Sequence, residues 1–152
     1  MSNSFRYLIY KLHNFIIRSL KIRTFGVRAL VIKEDKILLV THTYVSNWYA
    51  IGGGVEKGET PQEAIERELF EEVGIKSSSP PELFGVYHNT ISKPDDIVVL
   101  YLIKDFTQEE VKSSEILEAK WFPLTNIPKN TAIGTRRRIE EYLKTRPISD
   151  KW

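Results

Sequence analysis

Apolar positions near the N-terminus recur at helical spacing. Phe5, Leu8, Ile9, Leu12, Phe15, Ile16 and Leu20 fall on one stripe, while Arg6, Lys11, Asn14 and Arg18 lie largely off it. Residues 4–20 therefore predict a basic amphipathic helix. The pattern then changes. Thr24–Lys33 and Lys36–His42 read as strands joined by the polar turn Glu34-Asp35, and the dense run Ile37-Leu38-Leu39-Val40 predicts a strand buried on both faces. Helical spacing returns over Pro61–Val73, where Thr60 caps the helix, Glu63 completes a capping box, Pro61 suits the first turn and Gly74 supplies the stop. Ser77–Pro81 reads as a loop. Leu83–Asn89 and Ile97–Lys104 read as strands, Ala119–Pro123 as a short one and Thr131–Lys144 as a closing helix. Strands interrupted by helices near the middle and the end predict an α/β protein with a mixed β-sheet covered on two faces.

Length adds one constraint: 152 residues suit a single domain, taken as residues 24–152 behind a leader helix of residues 1–23. Charge sharpens that division. The net of +2 conceals a basic leader, because residues 1–33 hold seven bases and no acid, leaving 15 bases against 20 acids beyond. Charges interrupt the leader's apolar run and no small-residue cleavage site follows, so a signal peptide is not expected. No 18-residue uncharged stretch exists, so no transmembrane helix is expected. The leader helix is expected to lie on its own domain or to join two copies as a homodimer; weak contact with an anionic membrane surface is the alternative. The chain has no cysteine, which removes disulfides, thiolate metal sites and cysteine nucleophiles, and suits a cytoplasmic setting.

The chemistry is concentrated in Gly52-Gly53-Gly54-Val55-Glu56-Lys57-Gly58-Glu59 and the helix that follows. Glu68, Glu71 and Glu72 stand at i, i+3 and i+4, so their carboxylates are expected to converge on one face. Like charges on adjacent turns repel, yet together they form a set of hard oxygen ligands suited to Mg²⁺, with Mn²⁺ as the alternative. A solvated acidic helix face is the plainer reading of three glutamates alone. Two features favour the metal: Arg67 sits among the acids where it can orient a carboxylate, and a triple-glycine loop can bring backbone close to a cation.

These residues resemble the Nudix hydrolases, whose box runs glycine, five residues, glutamate, seven residues, then Arg-Glu-hydrophobic-any-Glu-Glu-any-Gly-hydrophobic. Gly53, Glu59, Arg67, Glu68, Leu69, Glu71, Glu72, Gly74 and Ile75 fill it without substitution. At about 7% background each, the fixed identities coincide by chance on the order of once in 10⁸ starting points. The resemblance implies an α/β/α sandwich. It implies a divalent-metal-dependent hydrolase that cleaves the diphosphate linkage of a nucleoside diphosphate joined to another moiety. It further implies Glu68 and Glu72 as principal metal ligands, Glu71 as a further one, the Gly52 carbonyl as a backbone ligand, and Arg67 with Glu59 as a brace between loop and helix. A later glutamate, Glu115 or else Glu118, is the implied additional catalytic carboxylate, and either Glu68 or Glu115 the general base. Where the family often carries a proline ahead of its glycines this chain has Ala50-Ile51, which is expected to loosen the turn.

Specificity is less legible. Tyr44, Trp48 and Tyr49 flank the entry to the glycine loop and, with Gly53, form the candidate substrate-binding set, although single aromatics also serve sheet packing. Asp95 and Asp96 sit in an expected hairpin loop, and the resemblance places one of them towards the site. His13, His42 and His88 show no ligand spacing. Arg136-Arg137-Arg138 reads as part of a solvated helix with charge pairs, and an acidic body argues against duplex nucleic acid. Two rival functions remain. A non-catalytic nucleotide-sensing module is expected to lose box carboxylates, and none is lost. An isoprenyl diphosphate isomerase on this fold needs a cysteine, and there is none.

Overall fold

The computed structural model describes residues 7–9, 11–12, 15, 23–90 and 95–152. Of the expected leader helix, Tyr7, Leu8, Ile9, Lys11, Leu12 and Phe15 are described, helical and exposed; its other residues lie outside the described set, as does Pro94 of the expected hairpin loop. The strands are β1 (Thr24–Lys33), β2 (Lys36–His42), β3 (Val45–Tyr49), β4 (Ile75–Ser77), β5 (Glu82–Asn89), β6 (Asp96–Ile103), β7 (Phe106–Gln108) and β8 (Ile116–Pro123). The helices are α1 (Pro61–Val73) and α2 (Ile133–Tyr142).

The main sheet runs β3-β2-β1-β6-β5, with β8 also paired to β2, while β4 and β7 form a separate ribbon. It is mixed: β1 and β6 are parallel from Thr24 opposite Asp96 to Val31 opposite Ile103, and the other pairs are antiparallel. Alternation along the strands explains the layers. Val27, Ala29 and Val31 of β1, with Leu38 and Val40 of β2, enter one core with Ala64, Ile65, Leu69 and Val73 of α1. Leu30, Ile32, Ile37 and Leu39 enter the opposite core with Ile139 of α2. The run 37–40 is thus buried on both faces, as its composition predicts, and each such side chain contributes roughly 1.5–3 kcal/mol.

Helix α1 has the expected boundaries because local chemistry fixes both. Glu63 N–H donates to Thr60 Oγ1 and Thr60 N–H to Glu63 Oε2, closing the capping box. Gly74 ends the helix at φ 68°, and a side chain there would strike the Glu109 carbonyl. Helix α2 starts later than expected. Thr131 spends its hydroxyl on the Pro128 carbonyl instead of capping, and Ala132 at the cap position makes no side-chain bond. Strands β3, β4 and β7 are additional: β3 carries Ser46-Asn47 within it, and the other two are three residues each, too short for alternation to register.

Candidate functional site

The site forms where the glycine loop, leaving β3, passes along β1 into α1. The Val27 N–H donates to the Gly53 carbonyl, the Ala29 N–H to the Ile51 carbonyl and the Val55 N–H to the Phe25 carbonyl, so the loop is laced to β1. Ile51 is fully buried in the first core, and this packing holds the turn that the missing proline was expected to loosen. Gly52 adopts φ 135°, and a side chain there would collide with the Val27 carbonyl. A side chain on Gly53 would strike the Glu68 carboxylate, so loop and helix close directly upon each other.

Arg67 ties them. Its Nε and Nη2 grip Glu59 Oε1 and Oε2 at 2.8 and 3.0 Å, Nη2 reaches the Gly54 carbonyl at 3.1 Å, and Nη1 holds Glu68 Oε1 at 2.8 Å. Glu59 also accepts the Glu56 N–H, and these bonds hold its carboxyl below the usual range. Arg67 is correspondingly raised, chiefly by its bond to Glu59.

The three glutamates do not share one environment. Glu72 is 8% exposed and accepts the Gly52 N–H at 3.2 Å on Oε2. Burial pushes its carboxyl up to about 8, with Glu68 and Glu115 acting the same way and Arg28 and the Gly52 N–H acting against. Burial also raises Glu68, opposed by Arg67 and Arg28. Glu71 turns outward: its side chain is 59% exposed and meets Arg67 Nη1 at 3.4 Å. Among the described residues, therefore, no three acidic or histidine side chains are gathered as a ready metal cluster. The donor set nevertheless fits a hard divalent cation. Glu68 and Glu72 face the glycine loop with oxygen donors only, and among the described residues no cationic side chain bonds the buried Glu72.

Two clefts meet at Glu68, Glu72 and Glu115. The inner one, about 260 Å³, continues past Gly52, Gly53 and Gly54 to Arg28, His42, Tyr44 and Asp96. The outer one takes in Glu56, Arg67, Glu71 and Lys112. Glu115 is thus brought to the box carboxylates from the segment before β8, whereas Glu118 lies on β8 opposite Thr41 and lines neither cleft. Asp96, buried at the start of β6, lines the inner cleft, accepting from Thr24 Oγ1 and Asn89 Nδ2. Asp95 pairs outward with Arg23.

The aromatic trio divides. Tyr44 and Tyr49 line a further pocket of about 360 Å³ beside the inner cleft. Trp48 instead packs edge-on against Phe122 at 4.8 Å in the second core. The run 136–138 also differs from a solvated helix face. Arg138 is 1% exposed and bonded to Glu141 at 2.8 Å, while Arg136 and Arg137 donate to the carbonyls of Pro128 and Trp152.

Sequence reasoning missed Arg28, whose guanidinium faces Glu68, Glu72 and His42. Its place between buried apolar neighbours on β1 was the available signal. It passed over His42, which stacks on Tyr44 at 5.3 Å and is pushed down to about 4 by burial and then by Arg28. It also missed Trp152, which reaches the pocket from 110 residues beyond His42 through tertiary packing alone.

Comparison with known proteins gives this geometry a lineage. The NUDIX domain family model matches residues 22–142. The ADP-ribose pyrophosphatase of Methanocaldococcus jannaschii is 32% identical over 124 residues, covering 78% of this chain and 72% of that protein. The NAD-capped RNA hydrolase NudC of Shigella dysenteriae is 33% identical over 114 residues, covering 72% of this chain but only 43% of its own length. Among solved structures, the MutT NUDIX hydrolase of Burkholderia pseudomallei superposes with a TM-score of 0.69 at 24% identity, over 78% of this chain and 97% of that one.

Proposed function

This chain belongs to the NUDIX family, and from that premise we propose that it is a divalent-metal-dependent pyrophosphohydrolase splitting the diphosphate linkage of a nucleoside diphosphate joined to another group. Enzymes of the family generally use divalent metal ions. The observation that carries the reading is the Glu68–Glu72 pair closed beneath the glycine loop, with Arg28 nearby but no cationic side chain among the described residues bonded to the buried Glu72.

Glu68 and Glu72 would hold Mg²⁺, or Mn²⁺ in its place, with the Gly52 carbonyl as a further ligand; Glu71, turned out to Arg67, would join only by swinging inward. A cation bound there neutralises the diphosphate's charge and lowers the pKa of an attacking water. Arg67 is a positioning residue: its fork on Glu59 keeps the loop seated while Nη1 aims Glu68. Glu115, exposed and shared by both clefts, accepts the water's proton; Glu68 is the second choice because Arg67 already holds Oε1. Arg28, beside the carboxylates, draws the anionic substrate in. Tyr44, Tyr49 and the Gly53 backbone contact the remainder of the substrate, and Trp48 serves the core. No helix among the described residues is long and apolar enough to cross a membrane, and a cytoplasmic setting belongs to the same proposal.

The test is hydrolysis of a panel of nucleoside diphosphate derivatives, ADP-ribose included, with Mg²⁺, with Mn²⁺ and with chelator. Metal-dependent release of a nucleoside monophosphate from at least one member supports the proposal. No product from any member under either metal contradicts it.

A further inference from the structure

The segment 147–152 folds back along β5 and α2. The His88 N–H donates to the Asp150 carbonyl at 2.7 Å, the Trp152 N–H to the His88 carbonyl at 3.1 Å, and Lys151 bridges His88 in parallel register. Arg137 Nη1 holds the Trp152 carbonyl at 3.0 Å and Arg138 Nη1 the Lys151 carbonyl at 2.9 Å. The Trp152 ring meets Tyr87 edge-on at 5.7 Å and lies over Gly134, where any side chain would run into the indole.

This seating carries the indole to the pocket of about 360 Å³ lined also by Tyr44, Tyr49, Asn47 and Asn89. That pocket shares Arg28, His42, Tyr44 and Asp96 with the cleft of Glu68 and Glu72, so one ligand can span both. Aromatic rings line the pocket beside the exposed Asn47, whose amide carries a donor and an acceptor for a ring's edge, a combination suited to a nucleobase. His42, packed against Tyr44 and Tyr49, keeps a buried Nδ1 with no hydrogen-bond partner among the described residues.

We infer that the segment 147–152 forms a wall of the substrate pocket and that Trp152 is a specificity-determining residue for the nucleobase of the substrate. The inference rests on the hydrolase reading above. Diphosphate at Glu68 and Glu72 and base against Trp152 then occupy adjoining spaces, and Arg137 and Arg138, expected on a solvated helix, instead seat this wall.

The experiment compares wild type, Trp152→Ala, Trp152→Phe and Asn47→Ala on ADP-, GDP-, CDP- and UDP-sugars with Mg²⁺. Binding of AMP, GMP, CMP and UMP is measured by calorimetry, and thermal melts verify folding. For Trp152→Ala the expected result is a KM about 10-fold higher on the preferred substrate with kcat little changed, the value of one lost stacking face. The ranking of the four bases flattens, and Trp152→Phe recovers most of the loss. The Asn47 side chain is exposed, so Asn47→Ala alters the base ranking without lowering Tm. Unchanged KM and base ranking in folded Trp152→Ala overturn the inference and leave the hydrolase reading intact. If Trp152→Ala does not fold, an unaltered ranking in Asn47→Ala overturns it. A wild type that hydrolyses none of these four sugars leaves the inference to the binding measurements. The pocket then stands or falls on whether nucleoside monophosphate binding weakens about 10-fold in the variant.

Discussion

Two buried glutamates sit on opposite sides of the sheet, and the protein treats them differently. Glu141 is enclosed by its own chain: Arg138 bonds Oε1 at 2.8 Å, the Ser149 N–H reaches the same oxygen and the Tyr87 hydroxyl donates to Oε2. Glu72, also buried, has the Gly52 N–H on Oε2 and two acidic neighbours, and its carboxyl is pushed up to about 8. A buried charge is stable only when partnered and hydrogen-bonded. The first site is completed within the fold and holds the second core together. The second is left for a ligand to complete, which distinguishes a functional acid from a structural one of similar burial.

Matched isosteric changes break this comparison most strongly. Glu72→Gln is expected to lower metal-dependent kcat by about 10³-fold or more, while the metal-free protein at pH 8 is at least as stable as wild type, because a buried charge has gone. Glu141→Gln strands Arg138 and is expected to cost about 3–5 kcal/mol in urea denaturation. Equal stability losses in both variants would show that the two acids are alike after all.

A smaller effect is expected at the brace. Arg67→Lys keeps the charge but loses the two-pronged hold on Glu59, and activity should fall about 10–100-fold with Tm little altered. Retention of full activity would mean that loop and helix stay aligned without the fork.

The mildest test is the pH dependence of metal-free stability. The folded pKa of Glu72 lies above its ordinary 4.5, so the folded state binds more protons and stability falls as pH rises from about 4.5 through about 8. His42 acts in the other direction: its folded value of about 4 lies below 6.5, so stability is lost as pH falls through that window. Denaturant midpoints across pH should show the alkaline slope reduced in Glu72→Gln and the acid slope reduced in His42→Gln. An unchanged alkaline slope in the first variant would remove the assignment to Glu72.

The sequence disclosed the site's backbone better than its walls, for physical reasons. Helix α1 carries its own start and stop signals in Thr60, Glu63 and Gly74, and the box acids are local to it, so both were legible at close range. Spacing alone could not show that Glu71 turns outward to Arg67 while Glu68 and Glu72 turn inward, because that choice is made by packing against Gly52 and Gly53. The family resemblance pointed to Glu115 ahead of β8, and the structure brings it to the cleft of the box carboxylates. Arg28, His42, Asp96 and Trp152 come from distant strands and a folded-back segment, and only tertiary structure assembles them. The run 136–138 reads as solvated because its charges sit in a polar stretch, whereas Tyr87 and Trp152 enclose Arg138 with Glu141.

The most direct measurement is the shift in Tm on adding Mn²⁺ at pH 8 to wild type and to Glu72→Gln. If Glu72 is the acid that a divalent cation completes, wild type gains stability with metal concentration through preferential binding to the folded state, and the variant gains little. An equal rise in both proteins, or none in wild type, would contradict the account.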